Sequence, residues 1–174
     1  MKMRSALKRG LFFLTITLFA CSSGGSQEVG PARLLLGADD GVHGMELWIS
    51  NGTAAGTTLV RDINPGPMGS GPGEMTVLIK RSVFSAYDRV RGRELWVTDG
   101  TSEGTTLVRD IRPGKDDSFP TSLRVVDGLV FFRANDGING LELWVTDGTA
   151  GGTRMVKDIN PEGDAIPTDM TVLR

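Results

Sequence analysis

Glu94-Leu95-Trp96-Val97-Thr98-Asp99-Gly100-Thr101 decides how this chain folds, because its opening triplet recurs at Glu46-Leu47-Trp48 and Glu142-Leu143-Trp144, 48 residues to either side. Residues 46–66 and 94–114 are identical at 15 of 21 positions, and residues 94–114 and 142–162 at 14 of 21. A fixed period of this length marks a repeat architecture in which each copy is one supersecondary unit. The copies span 33–66, 75–114 and 122–162.

Within the third copy, residues 122–126 and 129–134 are apolar, β-prone runs separated by Asp127-Gly128, a two-residue hairpin signal. A second turn at Asn135-Asp136-Gly137 leads to runs at 141–146 and 153–159, joined across Asp147-Gly148-Thr149, and Pro161 closes the copy. Each copy therefore reads as a four-stranded antiparallel meander, and the chain as an all-β repeat protein of propeller-like type. Alternation puts Leu143 and Val145 on one face of the sheet and Glu142, Trp144 and Thr146 on the other. A sheet apolar on both faces needs a neighbour on each. This makes Leu47, Trp48, Leu95, Trp96, Leu143 and Trp144 the expected repeat core, with Trp96 in the middle copy the costliest to remove. The recurrent Gly52, Gly100, Gly148, Asp99 and Asp147 are explained as turn chemistry: glycine supplies positive φ and aspartate bonds to nearby amides.

The first copy has no first strand, since the aligned positions are Gln27-Glu28-Val29-Gly30-Pro31. Residues 168–174 instead match Glu74-Met75-Thr76-Val77-Leu78, which predicts a closing strand that completes the first copy's sheet. Three blades are fewer than propellers commonly have. Two alternatives follow: association into a larger ring, such as two chains giving six blades, or a fragment with open ends.

The motif closely resembles the bacterial ELW-x-x-DGT repeat family, also labelled hyalin-like, which occurs in surface and secreted proteins. The resemblance covers about residues 33–174, with Asn51 standing where Asp99 and Asp147 stand, and Glu162 where Gly66 and Gly114 stand. It implies a propeller-like fold and no particular biochemical activity.

At the other end of the chain, residues 1–10 are basic and residues 11–20 are an apolar run of signal-peptide length, too short to span a bilayer. Leu18-Phe19-Ala20-Cys21 resembles a lipobox, which implies that the sole cysteine, Cys21, is lipidated and becomes the mature N-terminus. Acyl chains burying several tens of methylenes at about 0.8 kcal/mol each would anchor it stably. Residues 21–32, rich in Ser and Gly, read as a flexible tether. In lipoproteins of the enterobacterial type, a serine rather than an aspartate after the cysteine, here Ser22, implies sorting to the outer membrane. A single cysteine also offers no internal disulfide to an exported chain.

The net charge of -2 hides an asymmetry: four of the 19 bases and none of the 21 acids lie in the first 20 residues, so the remainder carries -6. That remainder has no basic stripe for phosphates, which argues against nucleic acid. With His43 the only histidine, Ser-His-Asp and Cys-His triads and histidine metal sites lack parts. Asp39, Asp40, Asn135 and Asp136 are weak calcium candidates because their loops gather oxygens; the equivalent Asp88 loop holds Arg89 and Arg91, which repel a cation. Glu46, Glu94 and Glu142 are conceivable glycosidase carboxylates, but an active site is asymmetric and these recur in every copy. The expectation is a lipid-anchored, non-catalytic binding or scaffold module for a protein or glycan, without cofactor. A surface-coat or assembly subunit is the alternative, and a glycan hydrolase a weaker one.

Overall fold

The structure, a computed structural model, describes residues 32–173. The signal segment, Cys21 and nearly all of the tether lie outside the described residues. Eleven strands and no helix are found among the described residues: β1(Leu34–Asp39), β2(Met45–Ser50), β3(Thr58–Arg61), β4(Gly73–Leu78), β5(Arg81–Asp88), β6(Gly92–Thr98), β7(Thr106–Arg109), β8(Thr121–Val126), β9(Leu129–Asn135), β10(Leu141–Thr146) and β11(Arg154–Lys157). They form three open antiparallel meanders, one per copy. Sheet 1 is β1-β2-β3, sheet 2 is β4-β5-β6-β7 and sheet 3 is β8-β9-β10-β11. The Asp127-Gly128 hairpin has positive φ at both residues, 48° and 79°, which matches the right-handed twist of its flanking strands.

Strand pairing sets the side chains that meet. Trp48 lies opposite Leu36, Trp96 opposite Phe84, and Trp144 opposite Phe132, so each tryptophan shares its sheet face with an apolar partner. The leucine before each tryptophan points to the other face. Two hydrophobic clusters result, one at each seam between sheets. In the first, Leu47, Ile49, Val60 and Ile63 of sheet 1 pack on Phe84, Ala86 and Trp96 of sheet 2. In the second, Leu95, Val97, Val108 and Ile111 of sheet 2 pack on Val130, Phe132, Ala134 and Trp144 of sheet 3. Leucine face thus meets tryptophan face at both seams, as two-sided hydrophobicity required.

The Asp-Gly-Thr turns take part in the same packing. Gly100 has a φ of 89°, and a Cβ there would stand 2.8 Å from Ile49 Cδ1 of sheet 1; Gly148, at 85°, would stand 3.1 Å from Leu78 Cδ2 of sheet 2. Glycine is required twice over, by the left-handed backbone and by the neighbouring sheet. An arginine ties each seam: Arg61 Nη1 donates to the Thr105 carbonyl (2.7 Å), and Arg109 Nη1 to the Thr153 carbonyl (2.6 Å).

Three expectations change. Residues 168–173 form no strand, and β1 remains an edge of a three-stranded sheet. The matched segment lies instead along sheet 3, where residues 170–173 and Phe131, Leu143, Val126 and Arg124 enclose an open cavity of about 300 Å³. The reading of two complete copies and one split between the termini therefore fails within the single chain. Trp96 is also not exceptional, since Trp144 is buried equally well and only Trp48 is half-exposed. The reason is that each tryptophan faces only the preceding sheet, and Trp48 has none among the described residues. Finally, the fourth strand stops at Lys157, because the amide of Ile159 turns away to Glu142.

Candidate functional site

The recurring polar residues are the natural place to look for chemistry, and most are occupied with holding the backbone. Glu46 is fully buried and accepts from the amides of Ile63 (3.1 Å) and Asn64 (2.9 Å) and from Ser70 Oγ (2.6 Å). Glu94 repeats this with Ile111 (2.9 Å), Arg112 (3.3 Å) and Ser118 Oγ (2.7 Å). Glu142 accepts from Ile159 (3.0 Å) and Ala165 (3.2 Å). Each glutamate ties the segment after the last strand back onto the third position of the meander. Burial pushes the Glu94 carboxyl up to about 7, against the lowering effect of its three donors. A group so enclosed does not face a cleft.

The turn aspartates behave as turn chemistry predicts. Asp99 Oδ1 accepts from the Thr101 amide (2.9 Å) and hydroxyl (2.7 Å), while Thr101 Oγ1 accepts from the Gly104 amide (3.0 Å). Asp147 makes the same contacts with Thr149. The threonine bonds hold both carboxyls below the usual carboxylate range. Asn51 does the same work, its Oδ1 accepting from the Thr53 amide (3.1 Å) and hydroxyl (2.8 Å), because only one oxygen is used. A Cβ on Gly104 would lie 2.1 Å from Asp99 Oδ1. Gly104→Ala is therefore expected to eject the Asp99 side chain and cost about what Asp99→Ala costs, roughly 1 kcal/mol, with the double variant no worse than either. Urea midpoints of the four proteins check this.

In the loops proposed for calcium, Asp39 Oδ1 accepts from Gly41 and Asn135 Oδ1 from Gly137, both at 2.7 Å. Asp40 Oδ1 accepts from the Val42 and His43 amides, and its Oδ2 lies 2.7 Å from His43 Nδ1. Those His43 contacts, led by its amide, lower the Asp40 carboxyl to about 2, and the Asp40 carboxylate raises His43 in turn. Asp136 is closed by Asn139 and Asp88 by Arg91 in the same geometry. The arginine that set the middle loop apart in sequence is thus the equivalent of His43 and Asn139: each supplies the donor that locks the loop. Among the described residues no group of three or more His, Cys, Asp or Glu is arranged to hold a metal.

Two hollows lie beside these loops. One of about 440 Å³ is lined by Arg112, Asn135, Asn139 and Glu162. Another of about 260 Å³, more apolar, is lined by Met68, Ser70, Tyr87, Arg93 and Asp117. Both are open and carry hydrogen-bonding groups rather than a paired acid and base. Compared with known proteins, the chain matches no family model, no curated protein and no solved structure.

Sequence reasoning missed the glutamate tie and its serine partners. Ser70 and Ser118 stand 24 residues after Glu46 and Glu94, and that second spacing was the signal available. Asp62, Asp110 and Asp158 also recur, each with one buried carboxylate oxygen lacking a hydrogen-bond partner; the Asp110 carboxyl accepts from the Gly114 amide, and burial raises it.

Proposed function

We propose that this chain is an exported lipoprotein, anchored through Cys21, whose repeat domain is a propeller-like, non-catalytic binding or scaffold module of ELW-x-x-DGT type. The observation that carries the reading is the burial of Glu46, Glu94 and Glu142, which takes the acids of the repeated Glu-Leu-Trp triplet out of contact with any substrate. What the repeats offer outward is the loop set around Asp40, Asp88 and Asp136, with a polar hollow beside Asp136 and a more apolar one beside Asp88. Asparagine, arginine and carboxylate groups in open grooves suit the hydroxyls of a glycan or the backbone of a protein partner. No helix among the described residues is long and apolar enough to cross a membrane, and the proposed acyl anchor supplies attachment without a span.

Two measurements test this. Cys21→Ser is expected to move the protein from the membrane pellet to the soluble fraction; unchanged sedimentation with membranes would overturn the anchor. Incubation with bacterial polysaccharides is expected to give retention without new reducing ends, whereas release of reducing sugar would make the module an enzyme.

A further inference from the structure

The two internal seams provide a template for judging the faces that the described residues leave uncovered. At sheet 3, Leu143 is half-buried where Leu47 and Leu95 are fully buried. Val156 is 47% exposed and Ile159 54% exposed, where Val60, Val108, Ile63 and Ile111 are all buried. At sheet 1, Trp48 and Leu36 are half-exposed where Trp96, Trp144, Phe84 and Phe132 are buried. Leu34 is 64% exposed where Val130 is buried. Thr57 is exposed although Thr105 and Thr153 are enclosed by a neighbouring sheet, and Gly52 has nothing within 4 Å where Gly100 and Gly148 are closely approached. The deficits fall on one leucine face and one tryptophan face, the two halves of the seam this chain already makes twice.

We propose that a second copy of this chain fills both, head to tail, with the leucine face of sheet 3 of one copy seated on the tryptophan face of sheet 1 of the next. Lys157 occupies the position of Arg61 and Arg109 and would donate to the Thr57 carbonyl of the second copy. The segment that fails to form a strand within the chain also finds its place. Leu173, 96% exposed, and Val172 lie beside the open face of sheet 3, and β1 of the incoming copy lacks the inner strand that β4 gives β5. β4 pairs with Thr76 opposite Val83 and Val77 opposite Ser82. The repeat carries this register to Thr171 opposite Leu35 and Val172 opposite Leu34 of the second copy. Completion of that sheet removes an exposed strand edge as well as two apolar faces. The contact is heterologous, joining two different surfaces, so it builds a closed ring or an open row rather than a face-to-face pair.

The heterologous character sets the test. Sedimentation velocity of the full chain is followed across a hundredfold range of protein concentration, in enough detergent that each micelle carries one anchor. Species of two or more chains are expected, closed or open; a monomer throughout overturns the proposal. Leu34→Asp spoils only the sheet 1 face and Ile159→Asp only the sheet 3 face. Both alter exposed positions, and unchanged far-UV circular dichroism confirms the fold. Each variant alone is expected to dissociate at least a hundredfold more readily, because a carboxylate is buried unpaired. Mixed in equal amounts, the two are expected to form a dimer through the one intact pair of faces. Continued assembly of either variant alone, or failure of the mixture to associate, contradicts the head-to-tail seam.

Discussion

Replacing Trp96 with alanine is expected to lower the unfolding free energy by about 3–5 kcal/mol, the usual cost of emptying a buried aromatic site. Trp96 is 6% exposed and sits within the cluster formed by Leu47, Ile49, Val60 and Phe84, so both sheets lining the cavity are held by other contacts and close over it only partly. Its Nε1 is buried without a hydrogen-bond partner, so the indole stabilises by packing, and Trp96→Phe should cost less than half as much. Trp144→Ala is expected to match Trp96→Ala. Trp48→Ala should cost clearly less, because no sheet among the described residues covers it. Urea unfolding of the three alanine variants as dilute monomers checks the order.

The second large effect concerns Glu94. Glu94→Ala strands two backbone amides, each at about 1–3 kcal/mol, while the Ser118 hydroxyl keeps the Arg93 carbonyl (3.2 Å) as acceptor. Removing the enclosed carboxyl offsets part of this, which leaves an expected loss of about 3 kcal/mol. The pH dependence follows from the direction of the shift. A carboxyl raised from 4.5 to about 7 binds its proton more tightly folded than unfolded. The stability it contributes is complete below 4.5 and is lost as pH rises toward 7, after which the curve is flat. Glu94→Gln removes this titration. The stability difference, wild type minus Glu94→Gln, should therefore fall by up to roughly 3 kcal/mol between pH 4.5 and 7. A difference that rises over that window would mean the carboxylate is held as a stabilising ion.

Much of this fold was legible because the information is local and repeated. Asp127-Gly128 reports its own hairpin, and the alternation through Leu143, Trp144 and Val145 assigns the faces without knowledge of the partner. The need for neighbours on both faces also followed from one strand, and the seams Leu47 to Trp96 and Leu95 to Trp144 bear it out. What stayed hidden depended on distant geometry. Glu94 read as a conceivable catalytic carboxylate because an isolated strand does not reveal that residues 111–118 fold back over it. Residues 170–173 carry the pattern of a first strand, but a strand needs an edge, and within this chain the edge of β1 does not meet them. Asn51 looked like a departure until the contacts showed that a single side-chain oxygen suffices.

The repeated tryptophans and leucines act across the seams between sheets, and a double-mutant cycle measures this. Trp96→Phe and Leu47→Ala fall in the cluster between sheets 1 and 2, whereas Phe132→Leu falls in the cluster between sheets 2 and 3. Trp96→Phe with Leu47→Ala should show a coupling energy of about 0.5–2 kcal/mol, and Trp96→Phe with Phe132→Leu should be additive to within about 0.5 kcal/mol. Additivity for Trp96 with Leu47, or equal coupling to both partners, would contradict the stacking of leucine face on tryptophan face.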